Sequence, residues 1–148
     1  LGIELEVVHH SQFIDELIKE KKIEPKPYIT EDITFHDPCY LGRHNNEYDA
    51  PRNVLQSVLK EGRIKEMEQN KSESFCCGAG GGNMWYEIKT GDRINQSRVE
   101  QAVETKAKTV AAACNFCNIM LEDGVKTTNN EENIRVMDIA EMVSKGLK

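Results

Sequence analysis

The sequence predicts an α/β protein: a single open, mostly parallel sheet flanked by helices, with a cysteine site on loops at the carboxyl ends of the strands. Three observations predict it. Strand-like and helix-like segments alternate along the chain. "TVAAAC" (109–114) is a fully apolar run of small residues, which suits a central strand covered on both faces. The five cysteines fall into three groups at even spacing, with 36 residues between Cys39 and Cys76 and 36 between Cys77 and Cys114. Such an interval holds about one helix plus one strand, the repeat that returns a chain to the same sheet edge, where sites of open α/β folds form.

Each element has its own signal. "IELEVVHH" (3–10) is apolar and β-branched and predicts a strand, and Ser11 then stands as N-cap of a helix bearing Phe13, Leu17 and Ile18. Two prolines in "IEPKPYITED" end that helix. "DITFHDPC" predicts a short strand over 33–35 that runs into a turn at Asp37-Pro38, so Cys39 lies just past a strand end. Pro51 fits the first turn of a second helix whose buried stripe is Val54, Leu55, Val58 and Leu59, with Gly62 as its stop. "RIKEMEQ" (63–69) predicts a third strand ahead of the glycine-rich "SFCCGAGGGNMW" (74–85).

Asp92 is expected to cap a third helix, in which Ile94, Arg98 and Ala102, and Val99 and Val103, recur at helical spacing. After the apolar run, a helix begins near Asn115, "NIRVMD" (133–138) reads as a strand, and "IAEMVSKGLK" (139–148) closes the chain as a helix. All three cysteine groups are thereby expected in strand-to-helix loops.

At 148 residues and 39% hydrophobic, the chain suits one domain with one core. A formal charge of -6 argues against nucleic acid, because phosphate binding needs clustered Lys and Arg. No apolar run approaches the ~18 residues that would span a bilayer. The chain opens at Leu1 with no signal peptide, and is expected to be a fragment of a longer protein. An odd number of cysteines without secretory features does not read as a disulfide framework.

A single cysteine is usually a small buried hydrophobe, but five in this arrangement form a metal-binding pattern. Zinc takes four thiolates in a tetrahedron; adjacent Cys76 and Cys77 fit two corners of it poorly, and Cys39 would be left over. A dithiol redox pair at Cys114 and Cys117 would need no further cysteines. An iron–sulfur cluster uses soft thiolates on several irons and so accounts for all five. Gly78, Gly80, Gly81 and Gly82 then let the backbone approach an anionic cluster and aim N–H groups at its sulfurs. A dinucleotide fingerprint fails, since "GAGGGN" has Asn83 where the last glycine belongs.

"HDPCYLGR" (36–43), "FCCGAGGGNMW" (75–85) and "CNFCNIMLEDG" (114–124) resemble the cysteine-rich CCG domain. That family includes the B-type and D-type polypeptides of heterodisulfide reductase, iron–sulfur components of glycolate, lactate and glycerol-3-phosphate oxidising enzymes, and membrane-associated oxidoreductases linking electron-transfer flavoprotein to quinone. "HDPCYLGRHNNEYDAPR" looks closest to the last group.

The resemblance implies that Cys39, Cys76, Cys77, Cys114 and Cys117 ligate a 4Fe-4S cluster, noncubane in the heterodisulfide reductases. Zinc stands as the alternative, and a fragment prepared in air can lack the cluster. It further implies an oxidoreductase module that is inactive in isolation, acting beside ferredoxin-like and membrane domains of a parent at the cytoplasmic face of the membrane. The donor would be a flavoprotein and the acceptor a quinone. The alternative activity is cleavage of a disulfide at the cluster, and a zinc-stabilised interaction domain is the non-redox reading. His36 is expected to support the site's structure, Arg43 and His44 to offset cluster charge or to be solvated, and Met84 and Trp85 to pack against the cluster loop.

Overall fold

The computed structural model of the chain describes residues 2–86 and 91–148. Three short strands, β1 (Ile33–His36), β2 (Thr109–Ala112) and β3 (Arg135–Asp138), form a parallel sheet in the order β1-β2-β3. Ile33 pairs with Thr109 and His36 with Ala112, and Thr109 in turn pairs with Arg135 and Ala112 with Asp138, so all three carboxyl ends finish level. The central strand is "TVAA", buried at every position, as its small apolar residues lead one to expect.

Among the described residues five α-helices cover the two faces: α1 (His10–Lys19), α2 (Asp49–Val58), α3 (Ile94–Glu104), α4 (Asn115–Thr127) and α5 (Ile139–Gly146). Side chains alternate along a strand, so the sheet divides its apolar residues between two layers. Ile33, Phe35 and Ala111 pack with Val54, Leu55 and Val58 of α2 and Ile139, Met142 and Val143 of α5, with α1 outside them. Val110 and Ala112 pack with Val99 and Ala102 of α3 and Met120, Leu121 and Val125 of α4. Gly124 lets α4 lie against α3: a Cβ there would sit 2.8 Å from the Asn95 carbonyl oxygen and 2.8 Å from Val99 Cγ2.

Several local expectations are corrected. Residues 3–9 form no strand, and their apolar side chains Ile3, Leu5 and Val7 are exposed. The N-cap of α1 is His9 rather than Ser11. The His9 ring accepts from the Ser11 amide, and Gln12 reaches back to the His9 amide in a capping box. The His9 ring also meets the Ala113 carbonyl at 3.1 Å, a tertiary contact that local pattern cannot anticipate. Arg93, not Asp92, precedes α3, and its side chain makes no cap hydrogen bond.

The expected third strand at 63–69 reduces to one parallel bridge between Ile33 and Ile64. Ile64 packs on the α2/α5 side of the sheet while Met67 lies in the α3/α4 core, so the chain must cross between layers and cannot continue as a strand.

In place of a ladder, a buried ion pair holds this crossing segment. Asp37, just past β1, receives two hydrogen bonds from Arg52 of α2 at 2.8 and 2.9 Å and one from the Lys71 amide at 2.8 Å. The same guanidinium binds both oxygens of Glu66 at 2.7 and 2.9 Å and lies over the Phe35 ring. Removing one partner of a buried pair strands the other charge. Arg52→Met is therefore expected to lower stability by about 3 kcal/mol, read as a lower midpoint in urea denaturation with an unchanged slope.

Candidate metal centre

The level carboxyl ends of β1 and β2 place two of the three cysteine groups. Cys39 follows β1 in the turn after Pro38, and Cys114 follows β2 as N-cap of α4, with Cys117 in the first turn of that helix. The third group differs from expectation. Cys76 and Cys77 follow no strand but the short 3-10 turn Lys71–Glu73, and reach the same edge through the Asp37 network. Cys39, Cys76, Cys77 and Cys117 line one cleft, with buried His36 at its base and the exposed Arg43 at its rim.

The thiols neighbour one another in a series: Cys76 beside Cys77, Cys77 beside Cys117 with sulfurs within 4.8 Å, and Cys117 beside Cys114. All five cysteines are free. Cys77 and Cys117 are buried, the other three half-buried.

This series divides the thiols into two kinds. Hydrogen bonds from the Cys117 and Cys76 thiols hold Cys77 far below the ordinary thiol range, aided by His36 and the Ala79 amide. Contact with Cys117 likewise lowers Cys114 to about 6 despite its burial, and its sulfur faces the amides of Cys117 and Phe116 at the α4 N-terminus without closing a cap bond. Contacts with these two acceptors push Cys117 up, and contact with Cys77 pushes Cys76 up. Negative charge thus gathers on Cys77 and Cys114.

The glycine loop supplies backbone donors. The Gly78 amide donates to Cys76 Sγ at 3.3 Å, and the Gly80 amide also faces that sulfur. A Cβ on Gly80 would lie 3.9 Å from the sulfur. Gly78 has φ 95° and a tight backbone neighbour in Asn95, so only glycine suits it. Gly81 and Gly82 also carry left-handed φ, at 65° and 77°, but stand in open space, where their part is the turn itself.

Behind the cysteines lies a residue whose part the helical pattern conceals. Arg98, on the buried stripe of α3, is fully buried. Its Nε–H donates to His36 Nδ1 at 3.0 Å, and its other nitrogens donate to the Gln69 carbonyl, Gln101 Oε1 and Ser74 Oγ. Burial lowers its pKa to about 10. The signal in the sequence is a cation at i+4 from Ile94 and i−4 from Ala102, on a face that should be apolar.

His36 itself is buried and kept neutral, its pKa lowered chiefly by desolvation, and it hydrogen-bonds Cys77. Ligand atoms of His36, Cys77 and Cys117 lie within 4.8 Å of one another, close enough for a single ion, but the Arg98 cation against His36 opposes a further cation there.

The remaining expectations divide. Arg43 reaches from the rim to donate to the Ser74 carbonyl at 2.5 Å, and the exposed His44 ring lies tilted against Tyr40, with centroids 4.9 Å apart. Met84 packs against the α3/α4 core, whereas Trp85 is 79% exposed and does not pack on the loop. The chemistry of the centre is that of a dense set of soft sulfur donors in which two carry charge. In metal-free protein, Cys114 is expected to alkylate as a thiolate with a rate midpoint near about pH 6, while the buried Cys117 stays slow. Iodoacetamide labelling across pH with peptide mapping reads both.

Comparison with known proteins bears on this constellation. A family model described as a cysteine-rich domain, CCG, matches residues 33–122, which span all five cysteines. FadF of Bacillus subtilis, a probable iron-sulfur-binding oxidoreductase, is 41% identical over 146 residues, covering 99% of this chain and 21% of that protein. EtfAB:quinone oxidoreductase of Syntrophomonas wolfei is 39% identical over 155 residues, covering 100% of this chain and 21% of that protein. The D-type polypeptide of the dihydromethanophenazine:CoB–CoM heterodisulfide reductase of Methanosarcina barkeri is 41% identical over 149 residues, covering 99% of this chain and 36% of that protein. The chain thus spans between 21% and 36% of the length of these curated relatives. With all five cysteines inside the matched span, the chain belongs to the cysteine-rich CCG domain family.

Proposed function

We propose that this chain is an iron–sulfur-binding electron-transfer domain of a larger oxidoreductase, relaying electrons between a flavoprotein donor and a quinone. Cys39, Cys76, Cys77, Cys114 and Cys117 would hold a 4Fe-4S cluster, with Gly78, Gly80 and Gly81 forming the loop beside it. The observation that carries this reading is the convergence of five thiols on one sheet edge, four in a series of neighbours and Cys39 on the wall of the same cleft.

The donor set fits such a group better than one ion. Four contiguous thiols and a fifth across a cleft exceed a tetrahedral site, and soft thiolates suit iron and sulfide. Backbone amides of Gly78, Gly80 and Ala79 aim at Cys76 and Cys77, as an anionic group requires. When bound, the cluster would supply a one-electron store. The chain's own residues would bind it, offset its charge and screen it from water, and the buried faces of Cys77 and Cys117 support the last of these. The names of the relatives support both ends of the relay, since one is a quinone oxidoreductase for a protein designated EtfAB. No helix among the described residues is long and apolar enough to cross a membrane.

Prepared without oxygen and supplied with iron and sulfide, the chain is expected to take up several irons with acid-labile sulfide. Stoichiometric zinc without sulfide uptake would reject the reading. In the intact parent, Cys77→Ser should cut quinone reduction by at least about tenfold, because a hydroxyl is a harder and poorer iron ligand, while flavoprotein docking survives. A parent that reduces an added disulfide, with no quinone-linked turnover, would favour a disulfide-cleaving centre like that of the heterodisulfide reductase relatives.

A further inference from the structure

A buried charge needs a counter-charge, and among the described residues that of Arg98 is not of the ordinary kind. Its four hydrogen bonds go to neutral acceptors: His36 Nδ1, the Gln69 carbonyl, Gln101 Oε1 and Ser74 Oγ. Among the described residues no carboxylate lies within ion-pair distance of it. The nearest acid, Asp37, already receives both nitrogens of Arg52 and the Lys71 amide. Beyond the imidazole that it holds stand Cys77 and Cys117, whose sulfurs lie with a His36 nitrogen inside 4.8 Å of one another. A fold that buries a cation here is built for an anion on the far side of His36.

The same contact sets the imidazole. Arginine has donors only, so the His36 Nδ1 that meets Arg98 Nε must carry a lone pair. A neutral ring then holds its proton at Nε2. Ligand atoms of His36, Cys77 and Cys117 lie within 4.8 Å of one another, and with Nδ1 taken by Arg98 the ring nitrogen left for the sulfur is Nε2. His36 is held on this side because it ends β1 on the same face as Thr34, opposite Phe35, toward α3 and α4.

We propose that Arg98 is a positioning residue of the centre: its buried guanidinium locks His36 in the tautomer that donates Nε2–H to the Cys77 sulfur, and this charged relay raises the reduction potential of an iron–sulfur group held there. The potential half rests on the function proposed above; the tautomer half does not. An N–H donor and a buried positive charge both favour the more negative, reduced state of a sulfur-ligated centre. Substituting the relay therefore makes reduction harder without removing a thiol.

Two measurements on the 148-residue chain test this. In metal-free protein, ¹H–¹⁵N spectra of the histidine rings should show His36 with Nε2 protonated and Nδ1 bare, and Arg98→Met should abolish that single tautomer. After anaerobic loading with iron and sulfide, a potentiometric titration should place His36→Leu lower than the parent chain by about tenfold in the reduction equilibrium, or about 59 mV for a one-electron couple. His36→Gln, whose amide can accept from Arg98 and donate to sulfur, should stay within about threefold of the parent chain. The histidine pair leaves Arg98 intact and decides the matter if Arg98→Met does not fold. A wild-type ring protonated at Nδ1, or equal potentials for His36→Leu and His36→Gln, would overturn the proposal. Failure of the wild-type chain to take up iron and sulfide would instead reject the cluster reading, with the ring spectra still deciding the tautomer.

Discussion

The Cys76–Cys77 pair reaches the sheet edge with no strand to carry it, and the buried carboxylate of Asp37 makes that possible. In a doubly covered parallel sheet, ladder hydrogen bonds ordinarily bring each loop to the carboxyl edge. Here the segment after Ile64 leaves the sheet at once to cross from one core layer to the other. Its polar backbone needs partners in a place without a ladder. Asp37 supplies them: its side chain takes the Lys71 amide and the Arg52 fork, and its carbonyl takes the Ser74 hydroxyl. Arg52 extends the hold to Glu66, so α2, the end of β1 and the crossing segment share one network.

A second arginine completes that hold from the opposite layer. Arg98 donates to the Gln69 carbonyl and the Ser74 hydroxyl, gripping the crossing segment on both sides of Lys71–Glu73. The two arginines therefore act as struts where a strand is missing. They differ in charge balance: Arg52 faces two carboxylates, whereas Arg98 hydrogen-bonds neutral groups and looks across His36 toward sulfur. A chain of net charge -6 thus concentrates positive charge behind its thiols. Local field, not overall charge, suits the site to anionic sulfur chemistry.

The sequence's legibility follows the range of the forces involved. Periodicity reports burial, so α2, α4, α5 and the apolar β2 are readable, as is the sheet that stacks them. The cysteine spacing is readable because crossover length is nearly constant in such folds. The apolar residues 3–8 mislead, since alternating hydrophobics announce a strand only where a sheet edge accepts it, and here Ile3, Leu5 and Val7 lie exposed. "RIKEMEQ" misleads for a related reason: Ile64 and Met67, three apart, cannot share a face of one strand. His9 as a cap and Arg98 as a support are illegible because each acts through a partner far off in sequence, the Ala113 carbonyl for one and the β1 terminus for the other.

The site's two halves differ in how they are fixed. Cys114 and Cys117 stand on the junction of the most buried strand with α4, a helix pinned to α3 through Gly124, so their positions come with the core. Cys76 and Cys77 precede a loop in which Gly78, Gly81 and Gly82 hold left-handed φ, and around Gly81 and Gly82 there is space for the backbone to shift. The thiol neighbours that push Cys117 up also hold Cys77 down, which limits repulsion between sulfurs along this edge. A pair placed by the core thus meets a pair placed by a glycine turn, and one small fold brings both to the same sheet edge.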